Sequence, residues 1–138
     1  MNDPLQILQD DHTQIDRLLA ELTTVPRGSK RTELAHAVQA WLVEHHELES
    51  AIVYPSAGVE DANDEAISTE LRRMLASVDT DEFSGALAEL RDRLAEHNET
   101  VEHRLLPGIH ARLGETEWLS IGDALARAKH PGGLGVTA

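Results

Sequence analysis

Three histidines occupy positions that an apolar residue would fill in three separate helical patterns. His12 fills the one gap in its stripe, and His45 and His97 take core positions in two later stripes. Acids follow the latter two, Glu49 four residues after His45 and Glu102 five residues after His97. At 3.6 residues per turn, both acids lie within about 40 to 140 degrees of the apolar seam. Two carboxylates can therefore point inward beside the imidazoles.

This arrangement predicts a metal site. A single histidine on an apolar helical face is usually a satisfied core residue, but three on different helices favour a shared role. Buried carboxylates cost several kcal/mol each without a cation, and no Lys or Arg occupies these three stripes. At about 1.5 Å per residue, His12 and His45 come level to within about one turn. A metal ion is the natural counter-charge.

The absence of cysteine restricts the ligand chemistry. Thiolate ligands, iron–sulfur clusters, disulfides and cysteine nucleophiles are excluded, so a metal must be held by nitrogen and oxygen. Such donors suit iron, manganese or zinc, and carboxylate-bridged dimetal centres are commonly built between the helices of a bundle.

Length and composition predict one all-α domain. The chain has 138 residues, is only 3% aromatic and is rich in Leu, Ala and Glu. It carries 25 acidic and 12 basic residues, a net charge of -13 that would repel nucleic acid and anionic lipid, so neither nucleic acid nor a membrane is an expected partner. The first residues do not resemble a signal peptide, and no apolar run is long enough to span a bilayer, so we expect a cytoplasmic protein.

The elements that position the histidines are five predicted helices. We expect an up-and-down antiparallel four-helix bundle with a short fifth C-terminal helix, forming one domain over residues 1–130 with a flexible tail at 131–138. Asp3 and Pro4 open a first helix to about residue 24, and a second follows over about 29–55. A loop at 58–63 precedes a third helix around 67–78. Asp79 with Glu82, or Thr80, caps a long fourth helix ending near Gly114, and the fifth covers about 116–129.

The motifs resemble those of a known family. The sequence resembles the hemerythrin family, the HHE cation-binding domain, over nearly its whole length. The resemblance is carried by Asp11-His12, His45-x-x-x-Glu49 followed by Val53-Tyr54-Pro55, and His97-x-x-x-x-Glu102 followed by Leu106-Pro107. It implies a non-haem di-iron centre in which Glu49 and Glu102 bridge the irons. His12 and His45 would serve one iron and His97 the other, with a vacant position for dioxygen or a related small ligand.

The resemblance fails at the third helix, where hemerythrins supply one or two further histidine ligands. No histidine lies between His46 and His97, and our best register places Ser68 and Arg72 at those positions. A single-metal centre, a loosely held second metal and a substitute ligand are all open. The candidate substitutes are Asp64, Glu65 and Tyr54.

Three functional hypotheses follow. The first is an iron-binding, hemerythrin-like protein that binds or senses dioxygen, nitric oxide or peroxide, with manganese or zinc as other possible metals. The second is a redox enzyme that consumes peroxide. The third is a metal-free interaction module in which Arg72 reaches into the core and pairs Glu49 or Glu102. The other histidines are expected at the surface, and Trp41 and Trp118 in the core, where either could pack beside the metal pocket.

Overall fold

The computed structural model describes residues 2–59 and 64–129, and within these ranges every regular element is helical. This agrees with the all-α prediction. Two π-helical turns, Glu49–Val53 and Val101–Leu105, join helices without a break. The α-helices are α1 (Pro4–Leu22), α2 (Ser29–Leu48), α3 (Tyr54–Ala57), α4 (Asp64–Ala76), α5 (Phe83–Thr100), α6 (Leu106–Arg112) and α7 (Glu115–Lys129).

Local sequence explains several helix ends. The Asp3 carboxylate accepts a hydrogen bond from the Leu5 N–H at 3.0 Å and caps α1, as the sequence predicted. Gly58 ends α3 in the left-handed region at a φ of 72°. The expected capping box at Asp79 is wrong, because α5 begins only at Phe83. The Thr80 hydroxyl instead accepts the Glu82 N–H at 3.2 Å in the preceding turn.

The π-helical turns lie just before two prolines, and the sequence analysis did not predict them. In the first, the Tyr54 N–H donates to the Glu49 carbonyl five residues back. In the second, the Leu106 N–H donates to Val101 in the same way. The next residue is proline in both, which has no N–H to continue the usual four-residue pattern and crowds the carbonyl four residues back. The wider turn avoids both problems, and such turns are frequent at functional sites.

Two apolar clusters fill the interior, and a polar layer separates them. Helix α1 packs on α2 and α7, and α4 packs on α5 and α2. On α1, Ile15 belongs to one cluster and Leu8 to the other, with His12 between them. His45 on α2 and His97 on α5 likewise lie between residues of the two clusters. The larger cluster includes Ile15, Leu19, Leu22, Val38, Trp41, Leu42, Ile67, Leu71, Met74, Phe83, Leu87, Leu90 and Leu94. The second includes Leu8, Leu48, Val53, Tyr54, Val101, Leu106, Ile109, Trp118 and Leu125.

None of the described helices combines the length and apolarity needed to cross a bilayer. The predicted tail at 131–138, His130 and residues 60–63 of the predicted loop lie outside the described residues. The domain boundary at residue 130 therefore stays a prediction.

Candidate metal centre

Four of the five predicted ligands converge in the polar layer. His12 on α1, His45 on α2, Glu49 at the start of the first π turn and His97 on α5 are all buried. Each offers one ligand atom, and these four atoms lie within 4.8 Å of one another. The residues come from three separate helical segments of the fold, as their places in the apolar stripes predicted.

The spacing of three donor atoms suits a single ion. His12 Nε2 lies 3.2 Å from His45 Nε2 and 3.4 Å from Glu49 Oε2, and His45 Nε2 lies 3.0 Å from the same oxygen. Donors about 2.1 Å from one ion, at angles of about 90–110°, are roughly 3.0–3.4 Å apart. The residues present therefore fit a metal ion.

Glu49 holds the cluster together through both of its oxygens. Its other oxygen, Oε1, lies 2.8 Å from His97 Nε2, and its side chain is completely buried. Burial raises the pKa of Glu49, but the charge of His45 and hydrogen bonds from three imidazoles outweigh it, so this pKa falls well below its ordinary value. Burial lowers the pKa of His45, but Glu49 and Asp11 more than offset this effect and raise it to about 9. In the metal-free protein, a proton on His45 balances the buried carboxylate.

The fifth predicted ligand, Glu102, lies on the outer side of His12. Its Oε2 is 2.5 Å from His12 Nδ1, while the cluster is formed by Nε2 of the same ring. The Glu102 side chain is 16% exposed. A carboxylate in this position fixes the orientation and tautomer of a ligand imidazole. Its predicted role as a bridging ligand stays a prediction.

A comparison with protein-family models identifies the family of this chain. The model of the hemerythrin HHE cation binding domain matches residues 3–109. The chain belongs to this family. No curated protein and no solved structure matched it. Members of the HHE family bind cations, and the buried cluster of this member could hold one.

Helix α4, the third of the helices predicted from the sequence, borders the cluster of this HHE domain and contributes few donor side chains. A cavity of about 120 Å³ beside His45, Glu49 and His97 is lined on the α4 side by Asp64, Ile67, Ser68 and Leu71. Ser68 therefore faces the cavity, as its predicted register required. The expectation that Arg72 shares this face is wrong, because Arg72 does not line the cavity and its guanidinium donates to the Thr69 hydroxyl at 3.4 Å.

The position of Arg72 also overturns its predicted pairing with the core carboxylates. Glu49 is surrounded by imidazoles and Glu102 pairs with His12, so the guanidinium reaches neither. Of the candidate substitute ligands, Glu65 is exposed. Asp64 Oδ1 lies 3.7 Å from His97 Nδ1 and accepts a hydrogen bond from the Tyr54 hydroxyl at 3.0 Å. Asp64 therefore lies at the outer nitrogen of the His97 ring, and Tyr54 contacts Asp64.

Two residues behind His45 were not predicted from the sequence. Asp11 Oδ2 lies 3.4 Å from His45 Nδ1, and Lys129 Nζ lies 2.5 Å from Asp11 Oδ1. Burial raises the pKa of Asp11, but the neighbouring His45 and Lys129 outweigh this effect and leave the pKa below its ordinary value. The only sequence signal was the place of Asp11 beside His12, whereas Lys129 is 118 residues away from it.

Other aromatic and histidine side chains behave as predicted. Trp41 is buried and stacks on the His45 ring with centroids 4.8 Å apart, so it does pack beside the site. Trp118 is buried in the second apolar cluster. The remaining described histidines, His36, His46, His103 and His110, are exposed.

Proposed function

We propose that this chain is a hemerythrin-like, non-haem iron-binding protein whose first ion is held by His12, His45 and Glu49, with His97 beside it at the other Glu49 oxygen. The observation that carries this proposal is the convergence of three imidazole nitrogens and one carboxylate oxygen within 4.8 Å in a buried layer. A proton could balance the negative charge of the Glu49 carboxylate. A single carboxylate would not need three imidazoles for that purpose. The group is the donor set of a cation.

Iron is the metal that the donors favour. Two imidazoles and a carboxylate on one face of an ion, with other positions open, are typical of non-haem iron(II). The mutual distances among His12, His45 and Glu49 fit that arrangement. Zinc and manganese accept the same donors and are the competitors to test.

The protein's own residues would hold and orient the ligands and exclude bulk water. Glu102 contacts the outer nitrogen of His12 at 2.5 Å and Asp11 faces that of His45 at 3.4 Å, positions from which both acids would orient the ligand rings. The apolar clusters flank the layer on both sides and would limit the access of water to it. Iron bound there would supply a redox-active Lewis acid.

The cavity beside the cluster supports a role with small ligands. Its volume of about 120 Å³ compares with roughly 30 Å³ for one water molecule, so dioxygen, nitric oxide or peroxide would fit. We propose that the protein binds or senses one of these molecules. Peroxide turnover and a cytoplasmic location remain predictions from the sequence. A second ion, bridged by Glu49 and Glu102, also remains a prediction.

The finer architecture belongs to the same proposal. We infer that α1, the α2–α3 rod, α4 and the α5–α6 rod alternate up and down as an antiparallel four-helix bundle, with α7 as the fifth helix. The pairing of α1 with α2 and of α4 with α5 supports this arrangement.

Metal analysis tests the function directly. Protein purified from iron-supplemented cells should contain about one tightly held iron, and metal-free protein should bind iron(II) anaerobically with the same stoichiometry. His45→Ala should lose this ion, whereas the exposed His103→Ala should retain it. Because Trp41 stacks on His45, its fluorescence should be quenched as iron binds. Iron-loaded protein should change its absorption spectrum on addition of nitric oxide.

Two results would contradict the proposal. One is wild-type protein with no more metal than the His45→Ala variant under every loading condition. The other is protein that carries zinc or manganese but no iron when it is purified from cells supplied with all three metals. The first would favour a metal-free interaction module, and the second would replace the metal but keep the site.

A further inference from the structure

The C-terminal helix contacts the metal centre through a chain of two charged residues. Lys129, in the last turn of α7, places Nζ 2.5 Å from Asp11 Oδ1. The other Asp11 oxygen, Oδ2, faces His45 Nδ1 at 3.4 Å. Helix α7 begins at Glu115, beyond residues 3–109 that match the family model. The contact is therefore a feature of this chain that the family match does not cover.

The two oxygens of the Asp11 carboxylate face different partners. One oxygen pairs with the lysine ammonium, while the other is turned toward the imidazole whose Nε2 belongs to the cluster. Asp11 is only 5% exposed, and a buried carboxylate needs a compensating charge. His45 cannot be a cation while it binds a metal, because a ligand imidazole must be deprotonated. Lys129 is then the charge that remains to balance Asp11.

We propose that Lys129 is a positioning residue of the metal centre, holding Asp11 in the orientation that fixes the His45 ring. The inference rests on the proposed metal binding and deepens it. Without the ammonium, the buried Asp11 can turn toward water, and His45 then loses the partner that keeps Nε2 directed at the ion. Replacing a carboxylate that orients a ligand imidazole typically weakens metal binding by about 10–100-fold.

A purely structural role for Lys129 makes a different prediction. Helix α7 is also docked by buried Trp118 and Leu125, and at its Gly122 by the backbone of Asn2, where a Cβ would collide. In addition, the Asn2 amide donates to Asp123 at 3.0 Å. If Lys129 only fastened the helix, its loss would resemble the loss of another docking contact, and Asp123→Ala supplies that comparison.

The experiment measures iron(II) and cobalt(II) affinity by anaerobic titration of the metal-free full chain. Lys129→Met should weaken binding by about tenfold, the lower end of the range for orienting partners. Lys129→Arg, which keeps the charge and a donor to Asp11, should recover most of the affinity. Arg127→Met removes the same charge from an exposed position on the same helix and should leave the affinity unchanged, as should Asp123→Ala.

A double variant tests whether Lys129 acts through Asp11. Asp11→Asn should weaken binding at least as much as Lys129→Met, and the double variant should be no worse than Asp11→Asn alone. The proposal is overturned if the two losses add, if Lys129→Met behaves like Arg127→Met, or if Lys129→Arg fails to recover affinity.

A metal-free measurement separates this proposal from the function on which it rests. Nitrogen-15 histidine spectra of the metal-free protein should show a shift of the His45 ring resonances in Lys129→Met and none in Arg127→Met. If wild-type protein binds no metal, the proposed function fails, and these spectra still decide the positioning role. Unchanged His45 resonances in Lys129→Met would overturn that role even if metal binds.

Discussion

The two π-helical turns have the same construction but present different side chains to the core. In each, a cluster histidine lies ten residues before a proline, and the residue before that proline donates to the carbonyl five positions back. That carbonyl belongs to Glu49 in the first turn and to Val101 in the second. Val101 is therefore the equivalent of Glu49, and Glu102 is the equivalent of Ser50.

A shift of one residue changes the role of the carboxylate. One step along a helix rotates a side chain by about 100°. Glu49 is completely buried among imidazoles, whereas Glu102 is 16% exposed and contacts the outer nitrogen of His12. Val101, at the position equivalent to Glu49, is buried in the second apolar cluster. Two similar motifs thus supply one carboxylate inside the buried cluster and one behind a cluster imidazole.

The largest effect should come from Glu49→Gln. The amide keeps the size of the side chain but removes the negative charge that faces the imidazoles. We expect iron(II) affinity to fall by more than about 100-fold, beyond the range typical of residues that only orient a ligand. Anaerobic titration measures this, with the exposed Glu44→Gln on the same helix as the control. Retention of tight binding would show that Glu49 is not a ligand.

Glu102→Gln should have a smaller effect. If Glu102 orients His12, its amide should weaken binding by about 10–100-fold and leave the stoichiometry at saturation unchanged. The exposed Glu99→Gln is the matched control. A loss as large as that of Glu49→Gln, or a fall from two irons to one, would contradict the difference between the turns and favour the bridging role that the resemblance implies.

The two acids show which features of the candidate site could be predicted from the sequence. Apolar periodicity placed His12, His45 and His97 in one buried layer, because each interrupts a stripe that must face the core. It also placed Glu49, four residues from His45 and thus on nearly the same face. It could not separate the roles of Glu49 and Glu102, because at spacings of four and five residues from a core histidine a long carboxylate side chain can reach inward in both cases.

Long-range partners were also beyond the reach of periodicity. Lys129 contacts Asp11 across the fold, and this pairing depends on how α7 docks against α1. Arg72 was placed one turn from Ser68 and expected to reach inward, but its side chain lies on the exposed face of α4. On α4 the cavity is lined by positions 64, 67, 68 and 71, so Arg72 lies one residue beyond the lining.

A third prediction concerns pH and should distinguish the two acids in metal-free protein. The pKa of His45 is raised to about 9, so the folded state holds this proton more tightly than the unfolded state does. The resulting stability is complete below the ordinary histidine pKa of about 6.5 and is lost as pH rises toward 9, by roughly 3 kcal/mol at most. Urea unfolding in chelator across this range measures it.

The same titration should respond differently to each acid. Glu49→Gln removes the largest favourable cause of the raised pKa of His45 and should flatten the pH dependence. Glu102→Gln, whose side chain contacts a different imidazole, should keep the slope. Equal slopes in both variants would mean that Glu49 does not hold the His45 proton.

The smallest effect should come from Ser50→Ala, which tests the proposed equivalence of the two turns. Ser50 corresponds to Glu102 in the count from the prolines, yet its side chain is exposed. We expect the free energy of unfolding to change by less than about 0.5 kcal/mol and iron(II) affinity to stay the same. Urea unfolding and anaerobic titration check both. Weaker iron binding would mean that position 50, like position 102, supports a ligand. The two turns would then differ only in the type of side chain at this position.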